Sequence, residues 1–128
     1  VYCVAPITIG SKTAISQRTF LCSASHDITR LTRPLTTAPI TIGDHVWVAA
    51  EAMIYPGARV GHGAVIAARA VFRGAAAPWT IYVGNPAQPA APRRLSDEID
   101  DPPHMSARIT ANSEGHSETP GPKATSLR

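Results

Sequence analysis

The chain has 128 residues, 44% of them hydrophobic but only 5% aromatic, with a formal net charge of +3. That length admits one domain, whose core must be built from Val, Ile, Leu and Ala. Two cysteines without a CxxC pairing exclude a disulfide scaffold or a zinc cluster and fit the reducing cytoplasm. No apolar run reaches the ~20 residues of a membrane span, because Glu51 and Arg69 interrupt the best candidates.

The charge is uneven. Residues 1–95 carry nine Lys/Arg against three Asp/Glu, whereas residues 96–128 carry three against six. A cationic body suits a phosphorylated small ligand. Nucleic acid is a poor fit, since no basic run is interleaved with aromatic residues as in single-strand binders.

The chain opens on "VYCVAPITIG", whose last six residues recur 33 positions later, at Ala38–Gly43. Because it opens already in a strand rhythm, it reads as an N-terminally incomplete repeat domain of about three turns. Large apolar residues follow at Ile9, Ile15 and Leu21, a step of six, and the same step resumes at Ile42, Val48, Ile54, Val60, Ile66 and Phe72. Four residues after these rungs stand Val46, Ala52, Ala58, Ala64 and Ala70, nearly all small.

A period of six is neither the helical 3.6 nor the strand 2. It fits a chain wound as a three-sided prism, one hexapeptide to a side, with one large residue inward per side and a small one where the wall bends. Three sides give 18 residues per turn, which places Val60 on Ile42, Ile66 on Val48, Phe72 on Ile54 and Gly61 on Gly43. Stacked turns of this kind form parallel strands ~4.8 Å apart. The expectation is an all-β parallel β-helix of hexapeptide repeats.

The separation of 33 then resolves into one turn of 18 and an excursion of 15, placed within residues 24–38 and reading "ASHDITRLTRPLTTA". Long loops on a rigid scaffold are where function concentrates. This one holds His26, a residue type that can act as a general base near neutral pH. The residues alone do not favour catalysis over a solvated loop histidine at His26, and Asp27 either orients it, meets an acceptor hydroxyl or caps an Asx turn. His45 and His62 fall one residue out of stacking register on the outside of the prism, so no metal site is expected. Trp47 precedes inward Val48 and is therefore an outward indole, the mark of an interface or ligand. "GNPA" at Gly84–Ala87 is a turn that ends the β-helix and sends the chain back along it. Residues 96–128 lack the ladder and are rich in Pro, Ser, Thr and Gly, the composition of a disordered acidic tail. The domain is therefore set at 1–95.

The ladder together with "SASHD", "APITIGDHVWVAAEAMIYPGARVG" and "PWTIYVGNPAQPAAPR" resembles the hexapeptide-repeat sugar O-acetyltransferases. Within them it is most similar to the colanic acid and exopolysaccharide branch, related to maltose and galactoside acetyltransferases. The resemblance covers about residues 3–95 and implies a left-handed β-helix. It also implies a homotrimer and transfer of an acetyl group from acetyl-CoA to a hydroxyl of a sugar or polysaccharide precursor, without a covalent enzyme intermediate and without a metal. His26 is then the general base and Asp27 an acceptor-binding candidate. Trp47, Ala50 and Ala68 flank the pantetheine arm, and Arg73, Arg93 and Arg94 are candidates for its phosphates. Two departures bear on those phosphate contacts: Gln88 follows the "GNPA" turn where a basic residue is common, and "RGA" at Arg73–Ala75 replaces "TKD". They leave a second reading open, a catalytically silent trimerisation or binding module.

Overall fold

The computed structural model describes residues 1–96, so the tail expected to be disordered lies, but for Ser96, outside the described residues. Residues Val1–Leu95 form one compact unit built entirely of short strands and turns. In chain order they are β1 (Ile7–Ile9), β2 (Ala14–Ile15), β3 (Phe20–Leu21), β4 (Ala24–His26), β5 (Leu35–Thr37), β6 (Ile40–Ile42) and β7 (Trp47–Val48). There follow β8 (Met53–Ile54), β9 (Arg59–Val60), β10 (Val65–Ile66), β11 (Val71–Phe72), β12 (Ala75–Ala76), β13 (Thr80–Val83) and β14 (Gln88–Pro92).

The three walls of the prism are the sheets β1-β6-β9-β12, β2-β7-β10-β13-β14 and β3-β8-β11. Within each wall, consecutive turns pair in parallel: Ile9 lies on Ile42 and Ile42 on Val60; Ile15 on Val48 and Val48 on Ile66; Leu21 on Ile54 and Ile54 on Phe72. All six rungs from Ile42 to Phe72 are buried, at 3% exposure or less, and Val46, Ala52, Ala58, Ala64 and Ala70 at 1% or less. The small residues are required at the bends, where the wall turns inward and a larger side chain would collide with the rungs above and below.

Two features depart from a uniform ladder. The last turn is shorter: Ala76 lies on Val60 and Tyr82 on Ile66, a spacing of 16 rather than 18. The stack closes there, with the Tyr82 ring edge-on to Phe72 at 5.3 Å between centroids and its hydroxyl accepting the Ala77 N–H at 2.9 Å. At the other end Ile9 keeps its register but is 46% exposed, because β1 is an edge strand. Leu21, one wall further on, is buried at 2%. There Tyr2 pairs with Cys22, and the buried Ser23 hydroxyl accepts the N–H groups of Val4 and Ala5, both at 2.9 Å. Both cysteines are free thiols.

The corners are tight enough to require left-handed backbone, and most of these positions are not glycine. Lys12, His45, Gly63 and Trp79 form one such column, and Arg18, Glu51 and Arg69 another. Gly63, at φ 67°, also lies directly beneath the Trp79 ring, where a β-carbon would collide with the indole. Gly63→Ala is expected to lose about 1–2 kcal/mol from the left-handed backbone alone, plus whatever displacing Trp79 adds. Thermal unfolding that left the midpoint unchanged would contradict that requirement.

The excursion leaves and returns where the spacing of 33 requires. The Ala38 N–H donates to the Ser23 carbonyl at 3.0 Å, closing its base. Between them β4 and β5 form an antiparallel hairpin with His26 opposite Leu35. Beyond Phe72 the "GNPA" segment turns the chain so that β14 runs antiparallel to β13.

Candidate active site

His26 ends the first hairpin strand, and the turn that follows fixes its ring. Asp27 Oδ1 accepts both the Thr29 N–H at 3.0 Å and the Thr29 hydroxyl at 2.6 Å, an Asx turn. Those two bonds hold the Asp27 carboxyl below its ordinary pKa, the hydroxyl contributing most. The Asp27 N–H donates across to the Pro34 carbonyl at 2.9 Å, and Arg33 N–H to the Arg30 carbonyl at 2.9 Å. This turn brings the Arg33 carbonyl to 2.8 Å from His26 Nδ1. A carbonyl oxygen can only accept, so Nδ1 carries the hydrogen, and in the neutral ring the lone pair is on Nε2. The ring opens onto a concavity of about 550 Å³ lined by Ser25, His26, Ile28, Thr32 and Arg33.

A second concavity, a groove of about 640 Å³, crosses successive turns along the wall that contains β7 and β10. Trp47, Val65 and Ile81 stack in one outward column on its floor, and Ser16, Gln17, Ala50, Ala68 and Arg93 line its sides. The Trp47 indole is 48% exposed and is oriented by Nε1–H donation to the Ser16 hydroxyl at 2.9 Å. With methyl side chains at Ala50 and Ala68, a slender chain can lie close to the backbone. The Arg93 guanidinium reaches from the end of β14 to donate to the carbonyls of His45, at 2.7 Å, and Gly63, at 3.0 Å.

Of the residues singled out from the sequence, the structure thus brings Trp47, Ala50, Ala68 and Arg93 together in one groove. His26 lines the separate hairpin concavity, with Asp27 in the turn beside it. Arg73 and Arg94 line neither; the Arg73 guanidinium stacks on the Tyr55 ring, 3.6 Å from its centroid. His45 and His62 are exposed, and His62 Nδ1 accepts the Asp44 N–H at 2.9 Å. Among the described residues no three His, Cys, Asp or Glu side chains converge as metal ligands would. None of their elements is a helix long and apolar enough to cross a membrane.

Sequence reasoning missed a charged column on the corner beside the groove, in which Glu51 pairs with both Arg18 and Arg69. These ion pairs, the bond from Arg69 foremost, hold the Glu51 carboxyl below its ordinary pKa. The signal was present: 18, 51 and 69 differ by the same 33 and 18 that relate the core rungs.

Stacked parallel turns with a step of six define a hexapeptide-repeat protein. Residues 39–74 match the family model described as bacterial transferase hexapeptide (six repeats), and the chain is similar to proteins built on this repeat. Among its relatives is the Escherichia coli K12 protein WcaF, named as a putative colanic acid biosynthesis acetyltransferase. It is 38% identical over 87 residues, covering 67% of this chain and 47% of that protein. A hexapeptide-repeat acetyltransferase of Vibrio cholerae, solved in complex with acetyl-CoA, is 32% identical with a TM-score of 0.67, covering 71% of this chain and 51% of that one. A maltose O-acetyltransferase from Clostridium difficile 630 is 29% identical with a TM-score of 0.65, covering 70% and 49%. The chain therefore spans about half the length of the relatives it matches. The likeness to the colanic acid and maltose acetyltransferase branches agrees with the resemblance drawn from the motifs.

Proposed function

We propose that the protein is an acetyl-CoA-dependent O-acetyltransferase acting on a hydroxyl of a sugar or exopolysaccharide precursor in the cytoplasm, with His26 as general base. The observation that carries this reading is the hydrogen bond from His26 Nδ1 to the Arg33 carbonyl. It presents Nε2 as a proton acceptor in an open concavity and stabilises the imidazolium that forms when a proton arrives. Nε2 takes the acceptor's hydroxyl proton as its oxygen bonds to the thioester carbonyl carbon. When the C–S bond breaks, the imidazolium returns the proton to the departing thiolate, so ester and free thiol leave with His26 neutral again. Asp27 steadies the turn that holds Arg33, and its carboxylate is available to acceptor hydroxyls.

The groove fits the donor: an indole and aliphatic floor with methyl-lined sides suits an extended arm. Because His26 and the groove belong to different concavities of one chain, the reading places the chemistry in a homotrimer, with the hairpin of one copy beside the groove of the next. Calorimetric titration with CoA tests this. Saturable binding near one CoA per chain, in a sample that sediments as a trimer, is the expected result. A folded trimer that binds none would favour the silent module.

A further inference from the structure

Three charged side chains stand in one column on the corner that bounds the groove. Arg18, Glu51 and Arg69 are the left-handed residues of their turns, with φ of 58°, 61° and 59°. Glu51 pairs with Arg18 through Oε1 and accepts from Arg69 Nε through Oε2 at 2.7 Å. The column is fastened to the groove itself. The Glu51 N–H donates to the Gln17 carbonyl at 3.1 Å and the Arg69 N–H to the Ala50 carbonyl at 2.9 Å, and both acceptors belong to groove-lining residues. Ala68, also lining the groove, immediately precedes Arg69.

One carboxylate between two guanidinium groups leaves a net positive charge at this rim. The arginine side chains are 76% and 81% exposed against 27% for Glu51, so the anion lies deeper and the cations reach outward. A guanidinium has five N–H donors, and its pair with one carboxylate oxygen leaves most of them unused. Arg93, which lines the groove, is anchored against the wall by donating through Nη1 to two backbone carbonyls. Arg73 stacks on Tyr55 and, unlike Arg18 and Arg69, which follow the lining residues Gln17 and Ala68, does not adjoin the groove in the chain.

We propose that Arg18 and Arg69 form a phosphate-binding rim of the groove, held in place by their shared partner Glu51. The inference rests on the reading of the groove as the CoA site and assigns the phosphate contacts to residues that no motif pointed to. Phosphate oxygens accept from the outward N–H groups while the uncharged arm lies along Trp47 and the alanines.

The test compares binding of CoA with binding of pantetheine, which has the arm without the phosphates, to wild type, Arg18→Gln, Arg69→Gln and the double variant. Each variant is checked by thermal unfolding. The rim predicts that wild type prefers CoA and that each single change weakens CoA binding about three- to tenfold. It also predicts that pantetheine affinity is unchanged in every variant. A CoA-to-pantetheine ratio that stays constant across folded variants, or a wild type that binds both alike, overturns the rim and leaves the groove assignment standing. Wild type that binds neither ligand overturns the groove assignment, and the rim with it.

Discussion

Replacing His26 with alanine is expected to lower acetyl transfer by about 10²–10⁴-fold, the range of a positioned general base, while CoA affinity stays within a few-fold of wild type. The separation follows from geometry: His26 lines the hairpin concavity, which shares no lining residue with the groove. The fold should not respond, because the ring is exposed and its one bond is to the turn of its own hairpin. Steady-state rates at saturating acetyl-CoA, with the melting temperature measured alongside, read both effects. Turnover by His26→Ala within a few-fold of wild type would remove the base from the mechanism, whatever the groove binds.

The largest stability effect is expected at Phe72. Its side chain is 1% exposed, lies on Ile54 in the ladder and meets the Tyr82 ring edge-on at 80°. Truncation to alanine opens a cavity between the last full turn and the shorter closing one, a loss of about 3–5 kcal/mol. The edge-on pair accounts for about 0.5–1.5 kcal/mol of it. Against a typical stability of about 5–15 kcal/mol, that is a large fraction. Phe72→Leu, which keeps much of the volume, is expected to cost under about 1.5 kcal/mol. Urea unfolding distinguishes the two. A Phe72→Ala loss below about 1 kcal/mol, smaller than the cavity effect allows, would show that the closing turn opens independently of the rest.

The stack was legible because its rule is repeated: every side needs one large inward residue, and Ile42 through Phe72 supply it without exception. The excursion was legible for the same reason, as 15 residues that the rule does not use. Legibility ends where the rule ends. A continued step of six from Phe72 would reach Pro78, but the chain turns two residues early and places Ala76 on Val60. A methyl group carries no periodic signal among its alanine neighbours. At the site, Trp47 was legible as an outward indole. The tautomer of His26 was not, because it depends on a backbone carbonyl that any residue at position 33 would supply. Arg93 illustrates the same limit: its acceptors are carbonyls of residues 48 and 30 positions away. Its sequence neighbourhood shows only an unattached positive charge.

The groove crosses β7, β10 and β13, neighbours in one wall, and runs on to Ser16 and Gln17 just past β2. Strands in a sheet are about 4.8 Å apart, so the groove is graduated like a ruler and its length changes only in whole divisions. Inserting or deleting a full turn preserves every rung and moves the groove's far end by one division. Outside the 15-residue excursion, which leaves the prism, and the closing turn of 16, any other number of residues rotates large side chains out of the core. The reach of a ligand lying in this groove is therefore quantised by the fold, and a lineage that needs a longer or shorter arm must gain or lose an entire turn to accommodate it.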